Sequence, residues 1–234
     1  MWSAPDRDLI SIGMDDWENL LAAERHVQYL LPGAVLVGET AAALHAGHRT
    51  RLDGDHVLAD LRERFDQVLA DVETASGWKT ERKQRPVLIL GSMNGILSGI
   101  RQLRRTKPLE TEILEGLCVP TLAEMCRVKA WLLATRYTVR DYLDTTVLLE
   151  RLGQPKVVEA LEAFDELYPQ QSGASALSEV VERLVAAVPI DLATVDLSTY
   201  RGLSKPWNDW SYLVEHGRKW GTHIAQHFLE KKLS

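Results

Sequence analysis

Residues 35–57 carry the pattern that most constrains this chain. Val35-Leu36-Val37 is a short apolar run rich in β-branched residues, as a buried strand is, and Gly38 breaks it. Thr40 to His45 then reads as a short helix of small residues. A basic turn, Gly47-His48-Arg49-Thr50-Arg51, leads to Asp53 and Asp55. If 52–58 is a second strand, alternation sets both aspartates on one of its faces. Two carboxylates on one strand face, opposite a glycine turn and a helix start, suit magnesium and a triphosphate. The carboxylates are hard oxygen ligands, and N–H groups at the turn can hold phosphate oxygens. The same residues also fit a strand and helix with a solvated, acidic hairpin end.

Taken together at this spacing, the strand, the glycine turn, the small-residue helix, Gly47-His48-Arg49 and Asp53-x-Asp55 resemble the nucleotidyltransferases of the AbiEii/AbiGii toxin family. Those are the toxin halves of type IV toxin–antitoxin and phage-abortive systems, related to the MenT toxins. The resemblance implies an α+β fold: a nucleotidyltransferase-like mixed sheet with flanking helices, followed by a C-terminal helical bundle.

The chain's 234 residues suffice for one large domain or two small ones sharing an interface. Its longest apolar stretches are far too short to span a bilayer. Met1-Trp2-Ser3-Ala4-Pro5-Asp6-Arg7-Asp8 lacks a basic region followed by an apolar core, so the expectation is a cytoplasmic protein with no membrane partner. Cys118 and Cys126 are too few for a disulfide framework or a zinc site and read as reduced thiols. A net charge of −6 argues against indiscriminate nucleic-acid binding but leaves room for a local basic groove.

Helical spacing over 15–31 ends at Pro32-Gly33, and a second amphipathic helix is expected over 61–75, burying Leu61, Phe65, Val68, Leu69 and Val72. Strands are expected over 78–84 (a polar edge), 87–90, 96–103 and 109–114, with Gly91-Ser92-Met93-Asn94-Gly95 as a hairpin turn. Beyond Pro120 the pattern is helical: 121–135, 139–151, 157–168, 174–188 and 207–232, with Thr121 and Glu124 as a capping box. The expected organisation is an α/β domain over 1–119 and a helical domain over 120–234 that completes the cleft. The stripe of Trp207, Trp210, Leu213, Trp220, Ile224 and Phe228 reads mainly as core, or as an antitoxin interface.

A second constellation spans Lys129 to Asp144. Lys129 and Arg136 lie near one helical stripe, and Asp141 and Asp144 share a face of the next helix. By themselves these charges are ion pairs at a helix junction, with Arg136 or Arg140 bonded to Asp144. The family resemblance implies more: Lys129 contacting nucleotide phosphates, and Asp141 beside the aspartates at the catalytic centre. In that reading Asp53 and Asp55 hold magnesium (or manganese), Gly38 and Thr40 present donors to the phosphates of an NTP substrate, and Lys129 neutralises their charge. His48 and Arg49 either contact phosphate or ribose, or cap the helix C-terminus.

The sequence departs from the family in three places. Glu39 follows Gly38 where many members have small or hydroxyl residues, Arg51 stands where a serine is frequent, and no later apolar strand carries a third carboxylate. Glu110, Glu112 or Asp141 are the candidates to supply one. Arg101, Arg104, Arg105 and Lys107 form the densest positive patch, either edge-protecting charge or a guide for an RNA backbone. The resemblance implies an RNA acceptor, the acceptor end of transfer RNA, and a cognate antitoxin protein as partner. Transfer to a protein hydroxyl and a catalytically weak NTP-binding module are the alternatives.

Overall fold

The structure, a computed structural model, describes residues 14–49 and 52–233; the N-terminal octapeptide and Arg51 discussed above lie outside them. Helix α1 (Met14–Leu30) is followed by β1 (Val35–Val37), α2 (Gly38–Ala46), β2 (Asp53–Leu58) and α3 (Leu61–Glu73). Strands β3 (Trp78–Gln84), β4 (Leu88–Met93) and β5 (Ile96–Gln102) complete a five-stranded sheet of order β1-β2-β5-β4-β3. Only the β2–β5 pair is parallel, so the sheet is mixed.

One sheet face is closed by α1 and α3. Leu58 of β2, Ile89 and Met93 of β4 and Ile100 of β5 pack there against Val27, Leu31, Leu61, Phe65, Val68 and Val72. All five apolar positions expected on α3 are buried.

The hairpin turn is tighter than expected. β4 runs on through Gly91, Ser92 and Met93, leaving Asn94 and Gly95 alone as the turn. Both have positive φ, 52° and 83°, as a two-residue turn matching strand twist requires. A strand outside the expectation, β7 (Leu117–Pro120), pairs with β6 (Thr111–Leu114) through a second such turn at Glu115-Gly116.

The helical region contains α4 (Leu122–Arg136), α5 (Val139–Leu152), α6 (Lys156–Leu161), α7 (Phe164–Leu167), α8 (Ala176–Ala186) and α9 (Trp210–Leu233). The segment expected as one helix over 157–168 is two, because Ala163 leaves helical geometry; Phe164 and Tyr168 are thereby buried in contact with each other. Thr121 caps α4 by accepting from the Glu124 N–H, but the Glu124 side chain turns away to Arg105, so only half of the capping box forms. Leu213, Trp220 and Ile224 of α9 are buried, with Trp207, Trp210 and Phe228 packed beside them. That second core also takes in Leu36, Ala41, Ala42, Leu117 and Val119 from the α/β region.

Candidate active site

Strand β2 alternates strictly: Asp53, Asp55 and Val57 are half-buried, while Gly54, His56 and Leu58 are buried against α1 and α3. The two aspartates therefore share the face that α1 and α3 leave open, with Cα atoms about 6.6 Å apart at ordinary strand rise.

Asp55 sits between two glycines. Val37, which opens the turn into α2, is its register partner on β1, and Gly99 is its partner on β5. Gly38 has φ +77°, a conformation that favours glycine, and a Cβ there would lie 3.4 Å from Oδ2 of Asp55. A Cβ on Gly99 would come within 2.7 Å of Oδ1. The start of α2 carries no side-chain cap, and its first residue, Gly38, lies against Asp55, so the positive end of the helix is at the site. The Thr40 hydroxyl, expected at phosphate, is instead buried and donates to the Asp53 carbonyl over 2.6 Å, tying α2 to β2.

Behind this face lies a buried acid that sequence spacing did not single out. Glu24 of α1 occupies the space under Gly54, where any Cβ would overlap its carboxylate. It accepts from the Ser98 hydroxyl at 2.7 Å and faces His56 Nδ1 at 3.3 Å. Burial, against the Ser98 hydrogen bond, raises the Glu24 carboxyl to about 8, and burial lowers His56 to about 3. Near neutral pH both are uncharged, as groups sealed in an apolar layer must be.

The second constellation converges on Asp144. Its carboxylate is fully buried and accepts from Arg49 Nε and Nη2, each at 2.7 Å, from Lys129 Nζ at 2.7 Å, and from His48 Nε2 at 2.9 Å in the donor tautomer. Burial opposes ionisation, but Arg49 and Lys129 outweigh it and hold Asp144 well below the usual carboxylate range. Arg49 continues to Glu39 at 2.7 Å, and Arg140 reaches the other Glu39 oxygen at 2.9 Å. Burial pushes the Glu39 carboxyl up, and Arg49 with Arg140 more than reverses this, to about 2. Glu39, the acid that departs from the family pattern, is thus neutralised. Among the described residues, three cations (Arg49, Lys129, Arg140) and two carboxylates (Asp144, Glu39) form this cluster beside α2.

The other expected site residues take partners of their own, and one of them, Arg101, reaches an aspartate of β2. Asp141 belongs to the start of α5, bonded to Thr138 at 2.7 Å and paired with Arg136. Arg136 therefore pairs with Asp141, and Arg140 with Glu39, where Asp144 was the expected partner. Arg105 lies beyond the end of β5, not on the strand beside Arg101, and its guanidinium is buried on Glu124 at 2.8 Å. Arg104 is exposed, and Arg101 pairs with Asp55 at 3.1 Å. Glu110 pairs with Arg127, and Glu112 is an exposed residue of β6.

No family model and no curated protein matches the chain. Among solved structures, JHP933 from Helicobacter pylori is similar over 95% of this chain and 97% of its own, with a TM-score of 0.55 and 16% identity. A candidate nucleotidyltransferase from H. pylori is similar over 95% of this chain and 99% of its own, with a TM-score of 0.52 and 16% identity. The fold is nucleotidyltransferase-like. The five-stranded mixed sheet with its flanking helices is the shared architecture, as the resemblance implied. AbiEii membership is not among the matches.

Magnesium is characteristically held by one or two carboxylates, with water and substrate phosphates completing the octahedron. Among the described residues, no group of three or more His, Cys, Asp or Glu is arranged to hold a metal. Asp53 and Asp55 nevertheless supply a carboxylate pair on one strand face, beside an uncapped helix start. Such a set fits a magnesium that arrives with a nucleotide better than one bound by protein alone.

Proposed function

We propose that the protein is a magnesium-dependent nucleotidyltransferase that moves a nucleotide from NTP to an RNA acceptor. The observation that carries this is the placement of Gly38, at the mouth of α2, against the side chain of Asp55 on the open face of β2. Asp53 and Asp55 hold the metal. N–H groups at the Gly38 turn receive the phosphates, and the positive charges of Arg49, Lys129 and Arg140 lower the cost of bringing a polyanion there. Asp144 orients Arg49 and Lys129 for that task. Asp141 acts indirectly, by fixing the start of the helix that carries Asp144.

In the transfer, an acceptor hydroxyl oxygen attacks the α-phosphorus. The new O–P bond forms as the bond from the α-phosphorus to the bridging oxygen breaks; pyrophosphate leaves with the electron pair, and the hydroxyl proton passes to solvent. When bound, magnesium supplies acidity to the attacking hydroxyl and charge to the leaving oxygens. A toxin role with a cognate antitoxin, and transfer RNA as acceptor, follow from the resemblance of residues 35–57 and 129–144 to the AbiEii/AbiGii family.

Labelled NTP, magnesium and total RNA provide the test. Wild-type protein labels RNA, while Asp53→Asn and Asp55→Asn do not. Equal labelling by the Asp55 variant overturns the reading. One observation favours a second reading, an NTP-binding module of weak catalysis: Arg101 already pairs with Asp55, and β5 supplies no third carboxylate.

A further inference from the structure

The face that displays Asp53 and Asp55 continues across the sheet, and its register is informative. Asp55 lies opposite Gly99 of β5, Gly99 opposite Leu90 of β4, and Leu90 opposite Arg82 of β3. The next row runs from Asp53 through Leu97 and Ser92 to Lys79. Each aspartate thus begins a row that ends, three strands away, in an exposed cation at about 14 Å by ordinary strand spacing.

The floor between them is Leu97 and Ser92 in one row and Gly99 and Leu90 in the other, and Leu88 lies in the adjacent row beside Arg101. Leu88, Leu90 and Leu97 are half-buried on this face and Ser92 is buried, while Ile89 and Ile100 are fully buried on the other face beneath α1 and α3. The two faces of β3 also treat cations differently. Lys83, in register with Ile89, turns to the α3 side, where Glu73 lies 3.9 Å away. Among the described residues, no carboxylate lies within ion-pair distance of Lys79 or Arg82, although Glu81 stands between them at an irregularity in the ladder. Edge protection would be served by charge on either face of β3. It does not account for uncompensated cations aligned with the aspartates in a chain of net charge −6.

We infer that this face is the track for a single-stranded polynucleotide acceptor, with phosphates on Lys79 and Arg82 and bases over Leu88, Leu90 and Leu97. The terminal hydroxyl then lies at the aspartates. A single strand fits because its bases are free to lie on these leucines, whereas a duplex offers such a surface only its charged backbone. The track moves the acceptor contact from the Arg104–Arg105 segment to the sheet. The role of its end point rests on the nucleotidyl-transfer reading; the binding itself does not.

The test is fluorescence anisotropy of a labelled single-stranded oligoribonucleotide with the full chain, without NTP and in EDTA, over a range of salt. The Lys79→Gln/Arg82→Gln variant is expected to bind about tenfold more weakly near 50 mM salt, with the slope of log K against log salt reduced by about 1.4, or about 0.7 per lost phosphate contact. Lys83→Gln is the control and should bind as wild type. Unchanged affinity and slope in the double variant overturn the track. So does the absence of oligonucleotide binding by wild type, the result expected if the acceptor is a protein. If transfer proceeds but ignores Lys79 and Arg82, the track fails and the chemistry stands. If binding needs them but no transfer occurs, the chemistry fails and the track stands.

Discussion

Lys129 donates to Asp144 across 2.7 Å, with both side chains sealed from solvent. A lysine held this way is an anchor first and a phosphate ligand second. Asp144 depends on its cations because an unpaired carboxylate in that position would be prohibitive.

Removing Asp144 should therefore damage folding before chemistry. Asp144→Ala strands Lys129 as a buried charge and leaves Arg49 with Glu39 alone, with an expected loss of about 3–5 kcal/mol in urea unfolding. Lys129→Met should cost clearly less, since Arg49 and His48 still serve the carboxylate. A Lys129 variant of wild-type stability that fails only in NTP binding would assign the lysine to phosphate instead.

Gly99→Ala should act on the site and spare the fold. Gly99 lies outside the positive-φ region, so alanine fits its backbone, but its Cβ displaces Oδ1 of Asp55. The expected outcome is a loss of about tenfold in magnesium-dependent nucleotide affinity by calorimetry, near 1.4 kcal/mol, with the melting temperature little changed.

Arg101→Gln frees Asp55 from its only ion-pair partner among the described residues. If Arg101 competes with metal, the variant binds NTP with magnesium more tightly than wild type. Weaker binding in the variant would make Arg101 part of the nucleotide site.

Glu24 predicts a pH dependence in metal-free buffer. Its carboxyl titrates near 4.5 ordinarily and near 8 in the folded chain, so between these values the folded state holds a proton that the unfolded state has released. Its contribution is complete below 4.5 and is lost as pH rises towards 8, at up to about 1.4 kcal/mol per pH unit. His56, lowered to about 3, acts oppositely: its contribution is present above 6.5 and is lost as pH falls towards 3. Denaturant titrations should show Glu24→Gln abolishing the alkaline decline and leaving the acid limb. A Glu24→Gln profile parallel to wild type above pH 6 would mean that the carboxyl is ionised in the fold.

The β1–α2–β2 unit was legible because each signal is local: an apolar run, a breaking glycine, and alternation around Asp53 and Asp55. β7 was not, since Leu117-Cys118-Val119 is a short run between a turn and a proline, and its pairing depends on the Glu115-Gly116 conformation. The break between α6 and α7 has no glycine or proline to announce it. At the site, the residue types were visible but their partners were not. Asp144 gathers Arg49 from 95 positions away, and Glu24 meets Ser98 across 74. Spacing along one helix could suggest only the nearer arginines. Gly99 was hidden for a different reason, because its importance lies in what it lacks.

The two-residue Asn94-Gly95 turn fixes which strand positions of β4 and β5 lie opposite one another. It therefore works as a ruler for chemistry at a distance. One residue more in that bend, absorbed by a slip of β5, would present Ser98 or Ile100 to Asp55 in place of the bare backbone of Gly99. The length of a loop with no chemistry of its own is thus as much a requirement of the site as either aspartate.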